Sequence, residues 1–103
     1  MIVIPVINCP DFDCVKKRLE QVEALESDWV HIDVADGKFA PVKTWDNPKD
    51  FSKLLTAHYK LQISIEVHLM VEHPEEVFET WLTAGAKRII VHSEAVKNAD
   101  KFI

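Results

Sequence analysis

Four stretches of β-forming residues punctuate the chain, and two of them alternate apolar with chemically capable side chains. In Trp29-Val30-His31-Ile32-Asp33-Val34-Ala35-Asp36-Gly37, six β-formers run into an Asp-Gly turn. Side chains alternate across a strand, so Val30, Ile32 and Val34 share one face and Trp29, His31 and Asp33 the other. Ile63-Ser64-Ile65-Glu66-Val67-His68-Leu69-Met70 repeats the design: Ile63, Ile65, Val67 and Leu69 on one side, Glu66, His68 and Met70 on the other. The apolar opening reads as a strand from Ile2 to Asn8, with Ile4, Val6 and Asn8 on one face. Pro5 has no N–H for a ladder, which suits an edge strand. A fourth strand is expected from Arg88 to Glu94, with Ile89 and Val91 opposite Ile90, His92 and Glu94.

Between these stretches the period becomes helical. Asp11 is a natural cap for a helix reaching about Leu25, with Phe12, Val15, Leu19 and Val22 as its apolar stripe. Asn47 and Pro48 open a second helix, to about His58, that turns Phe51, Leu54 and Leu55 inward. Pro74, Glu75 and Glu76 open a third, with Val77, Phe78, Trp81 and Leu82 buried and Gly85 as its left-handed cap. The loop from Lys38 to Asp46 carries Phe39, Pro41 and Trp45, aromatics that either close a pocket or join the core. A short tail follows Glu94. The order β-α-β-α-β-α-β implies parallel strands joined by helical crossovers, an α/β fold whose chemistry gathers at the C-terminal strand ends.

Length changes that picture little: 103 residues make one domain, taken as residues 1–103, with a modest core. A net charge of −5 argues against nucleic acid or an anionic membrane as partner. No apolar run is long enough to span a bilayer, and Ile2 to Ile7 is too short for a signal peptide. Cys9 and Cys14 match no metal or redox spacing and are expected to be reduced thiols of a cytoplasmic protein.

Taken together, these motifs resemble the N-terminal half of ribulose-phosphate 3-epimerases, which are phosphate-binding (β/α)8 barrels. The resemblance is carried by Pro5-Val6-Ile7 with Asp11-Phe12, by Trp29 to Val34 with Asp36-Gly37, and by Phe39-Ala40-Pro41. Glu66 through Glu75, Ala84-Gly85-Ala86, and Val91-His92-Ser93-Glu94-Ala95 complete it. It implies interconversion of ribulose and xylulose 5-phosphates, an aspartate pair moving a proton at C3 while a divalent metal stabilises the enediolate. His31, Asp33 and His68 match three of the family's metal ligands, and Asp33 also matches one catalytic acid/base. Two imidazoles and a carboxylate suit zinc, iron or manganese. Asn8 and Met70 are expected to touch substrate, and Glu66 to hold a ligand from behind.

The chain also departs from the family pattern. The second aspartate belongs to the seventh strand of a full barrel, and the glycine-rich phosphate site to its late strands. Val6, Ala35 and Val42 stand where the family has serine, methionine and asparagine. A polar cluster without metal remains the alternative for the His-Asp-His group, while His92 and Glu94 are expected to line the same interior as a satisfied core pair rather than as ligands. In functional terms the choices are a sugar-phosphate epimerase, an inactive metal- or ligand-binding half-barrel that self-assembles, and a non-haem iron oxygenase triad. The intervening helix counts against the last. A (β/α)8 barrel takes about 250 residues, so a (β/α)4 half is expected to be completed to eight strands by a homodimer. Ile2, Ile4, Val6 and Ile90 would otherwise face water.

Overall fold

The computed structural model describes residues 1–57 and 63–102. Four strands form one sheet in the order β1-β2-β3-β4: β1 (Val6–Ile7), β2 (Trp29–Ala35), β3 (Ser64–Met70) and β4 (Arg88–Val91). Every neighbouring pair is parallel. Helices α1 (Phe12–Ala24), α2 (Pro48–Ala57) and α3 (Phe78–Ala84) fill the connections, as expected when parallel strands must be joined by crossovers.

Register explains why one face is core. Ile7 pairs with Ile32, Ile32 with Val67, and Val67 with Ile89, so a row of branched apolar side chains runs across the sheet. Ile7, Val30, Ile32, Val34, Ile65, Val67 and Leu69 are all buried, against Val15, Leu19 and Val22 of α1, Phe51 and Leu54 of α2, and Phe78 and Trp81 of α3. Trp45 completes this core, its ring 5.5 Å from Trp81 and 5.8 Å from Phe12. The loop aromatic therefore packs rather than closes a pocket, and its indole N–H donates to Asp50 of α2.

Local signals set the helix ends. Asp11 accepts the Cys14 amide at 2.9 Å, and Asn47 accepts those of Lys49 and Asp50. Gly85, at φ +129°, closes α3, where a Cβ would collide with the Leu55 side chain. Only glycine meets both demands at that position.

Several expectations need correction. β1 is confined to Val6–Ile7, although the Pro5 carbonyl still accepts the His31 amide at 2.9 Å; at a sheet edge the preceding residues have no second neighbour. Pro74–Glu76 is a 3-10 turn, and the α-helix begins only at Phe78 because Val77 leaves helical geometry at φ −123°. Leu82 lies 41% exposed, off the buried side of α3. β4 stops at Val91, where Ser93–Ala95 turns into a 3-10 helix. His58, the expected end of the second helix, lies outside the described residues.

The cysteines are corrected too. Cys9 and Cys14 form a disulfide with Cα atoms 5.7 Å apart. The turn capped by Asp11 folds the start of α1 back over the end of β1, which brings two residues five apart into bonding range. With that pair bonded, cysteine usage no longer argues for a reducing compartment.

Candidate metal centre

On the other face of the sheet the same register lines up polar groups. Val6, His31, Glu66 and Arg88 form one row, and Asp33, His68 and Ile90 the next toward the C-terminal ends. Strand alternation alone accounts for this: residues flanked by core-facing branched side chains must project the opposite way. His31, Asp33 and His68 come together, one ligand atom from each lying within 4.8 Å of the others.

Asp33 Oδ1 is the meeting point. It lies 2.9 Å from His31 Nε2 and 3.1 Å from His68 Nδ1. Its other oxygen, Oδ2, accepts from the Asn8 amide at 3.1 Å, so the residue that follows β1 reaches the cluster as well. The two imidazoles meet edge to face, ring centres 5.2 Å apart. Glu66 reaches the cluster from behind, its Oε1 accepting from His31 Nδ1 at 2.8 Å. A carboxylate only accepts, so this contact places a His31 proton on Nδ1, while Nε2 faces Asp33, an equally accept-only oxygen, across a gap that takes a proton or a cation.

Glu66 is itself anchored by Arg88, whose Nε donates at 2.5 Å. The guanidinium rests 3.9 Å above the Trp29 ring, a cation–π contact that fixes its position. Burial pushes the Glu66 carboxyl up, but hydrogen bonds and charge from His31 and Arg88 outweigh it and hold the group below the usual range. Arg88 carried no motif in the sequence. Its signal is pairing register, because it lies directly opposite Glu66.

Next to this cluster the loop ends are tied together. The buried Thr44 hydroxyl accepts the Ala35 amide at 2.8 Å. Asp36 accepts three amides, from Lys38, Phe39 and Glu72, joining the loop after β2 to the one after β3. Burial raises the Asp36 carboxyl, and those amides together bring it below its ordinary value. A cleft of about 210 Å³ opens beside them, lined among others by Val34, Asp36, Glu72 and Trp81, and does not include the His-Asp-His group.

His92 and Glu94, expected as a satisfied pair on this interior face, do pair with each other, but at its exposed margin rather than in the core, and they extend the network outward. His92 Nε2 lies 2.7 Å from His68 Nε2, and Glu94, 64% exposed, lies 2.7 Å from His92 Nδ1. Met70 is half-buried on the same face, one pleat beyond His68.

A parallel sheet with interleaved helices and an imidazole–carboxylate cluster at its strand ends defines half of a (β/α)8 barrel. The chain belongs to the ribulose-phosphate 3-epimerase family, whose profile matches residues 2–103. It is 34% identical to the ribulose-phosphate 3-epimerase of Chlamydia trachomatis over 103 residues, all of this chain and 42% of that protein. The Treponema pallidum enzyme of that name is 34% identical over 99 residues, 96% of this chain and 44% of its own length. That from Bacillus subtilis is 31% identical over 103 residues, 45% of its length. The chain thus spans less than half of each of these relatives.

Proposed function

We propose that this chain is the metal-binding half of a sugar-phosphate epimerase barrel, one half-barrel domain that holds one divalent ion through His31 Nε2, Asp33 and His68 Nδ1. The observation that carries this is the convergence of those donors within 4.8 Å. With its Nδ1 proton given to Glu66, His31 turns a lone pair on a carboxylate oxygen 2.9 Å away. Two acceptors facing at that distance repel unless a proton or a cation lies with them, so the donor set fits a metal. Imidazole and carboxylate ligands suit zinc, iron(II) or manganese(II). When bound, such an ion neutralises charge developing on substrate oxygens beside the reacting carbon.

The protein's own groups have distinct parts in this reading. Asp33 is the acid/base, with Asn8 donating to Oδ2 and fixing the carboxylate plane. Asn8 and Met70 flank the cluster and are the proposed substrate contacts. Epimerisation moves a proton off one face of a carbon and onto the other, which needs two groups. Of the other carboxylates on this face, Glu66 is committed to His31 and Arg88, and Glu94 to His92. The second acid/base and the phosphate site therefore come from outside this sheet. The substrate class is taken from the relatives' name, ribulose phosphate.

Metal analysis after dialysis tests the site. One equivalent of zinc in the parent and a loss of most of it in His68→Ala is expected; equal content in both overturns the reading. In a coupled assay with ribulose 5-phosphate, this chain alone should turn over slowly or not at all. Turnover matching that of a full-length relative would contradict the account, and Asp33→Asn should remove whatever activity is present.

A second proposal concerns completion of the barrel. Val6 is 60% exposed and Ile90 37%, although both lie on the site face of the sheet, and β1 and β4 have no outer neighbours among the described residues. A second copy related by a two-fold along the barrel axis would set β1 beside the partner's β4 and cover both residues. A dimeric mass by light scattering at micromolar concentration is expected, and a monomeric one counts against it.

A further inference from the structure

We propose that His92 and Glu94 form a relay that selects which nitrogen His68 presents to the metal, an inference that rests on the metal reading above. Glu94 Oε1 lies 2.7 Å from His92 Nδ1, and an ionised carboxylate can only accept. His92 therefore carries its proton on Nδ1, and as a neutral imidazole it is left with a bare Nε2. That atom lies 2.7 Å from His68 Nε2. Two ring nitrogens so close share one proton, and with His92 Nε2 bare it must come from His68 Nε2. With Nε2 engaged in this way, Nδ1 is the nitrogen that a neutral His68 frees for a cation, and it faces Asp33 Oδ1 at 3.1 Å, a gap that takes a proton or a cation.

The packing around His92 suits a positioning residue. Its ring stacks on His68 at 4.8 Å with planes 18° apart, and Phe39 closes in at 4.9 Å. Parallel register explains the encounter: His68 pairs with Ile90, so His92 lies one pleat further along the same face. The cluster is thus approached from both sides. Arg88 and Glu66 orient His31 so that Nε2 points inward, while Glu94 and His92 orient His68 so that Nδ1 does. Partners behind a ligating histidine fix its tautomer and ring orientation and typically carry about 10- to 100-fold in metal affinity.

Nitrogen-resolved NMR of the histidine rings in the metal-free protein tests the proton positions directly. The relay requires a proton on His68 Nε2 and none on His92 Nε2; the reverse placement overturns it. Zinc titration against a competing chelator supplies the second readout. His92→Phe keeps an aromatic ring but no acceptor and should bind zinc about tenfold more weakly. His92→Gln, which can offer an amide oxygen at the same place, should recover much of that loss. Glu94→Gln alters an exposed side chain with little risk to folding and should show a smaller loss in the same direction. Zinc affinities equal to the parent in His92→Phe and Glu94→Gln would overturn the relay. A parent that binds no zinc yet shows the stated proton positions would remove the metal reading and leave the hydrogen-bond relay standing.

Discussion

The two faces of this sheet are made by alternate residues of the same strands, yet they differ in almost every physical respect. On the helix-covered face, Val30, Ile32, Val34, Ile65, Val67 and Leu69 are at most 2% exposed and belong to the apolar core. On the other, His31, Asp33, Glu66 and His68 are bound into one hydrogen-bonded network, and Val6 and Ile90 lie open to solvent. Hydrophobic burial holding the chain together is concentrated on the first face. The second spends little on stability and places chemical groups within reach of one another. Within this sheet the apolar face is complete, while the polar face leaves Val6 and Ile90 uncovered.

Breaking the covered face should cost most. Phe51 is fully buried between Trp45 and Trp81, and Phe51→Ala should lower unfolding free energy by about 3–5 kcal/mol in a denaturant titration. Next is the Cys9–Cys14 bond, which ties β1 to α1 with Cys9 on that same face. Its loop is short, so reduction should remove about 2 kcal/mol by chain entropy, read as a lower urea midpoint with dithiothreitol. Neither change touches the ligands, so zinc stoichiometry should survive wherever the chain remains folded.

Asp36 tests the rim where the faces meet. Its carboxylate accepts three amides and titrates below its ordinary value, burial being outweighed by those bonds. A depressed folded-state value means that its stabilisation is present above the unfolded value of 3.8 and is lost as pH falls through the folded one. Asp36→Asn should cost about 1–2 kcal/mol at neutral pH. It should also flatten the fall in stability below pH 3.8, measured by thermal melts across that range. The smallest effect on folding belongs to the open face. Ile90→Ser should leave the unfolding free energy of the isolated chain within about 0.5 kcal/mol. If two copies close a barrel, the same substitution should lower the mass seen by light scattering.

How much was legible beforehand follows the same division. Period-two alternation in β2 and β3 was enough to assign both faces, because a one-residue slip would have turned Val30, Ile32 and Val34 outward. The parallel order, the Asp11 and Asn47 caps and the His31-Asp33-His68 cluster came from local pattern and family motif. What could not be read depends on pairing across strands. Arg88 became a partner of Glu66 only through register, and His92 a neighbour of His68 for the same reason. The disulfide was missed because a spacing of five resembles no known motif, although a strand end followed by a capped turn brings such residues together. Leu82 was misplaced because it lies at the margin of the stripe that Phe78 and Trp81 bury, and helical spacing does not say how wide a strip of α3 is covered.

The central claim is that the open face holds a metal through two imidazoles and one carboxylate. X-ray absorption at the zinc edge of the loaded protein addresses it most directly, because imidazole rings give distinct multiple scattering. The account predicts two imidazole nitrogens and the remaining ligands oxygen, at about 2.0–2.1 Å, with no sulfur, and the imidazole count falling to one in His68→Ala. A parent spectrum with one imidazole or none, or with thiolate scattering, would contradict it.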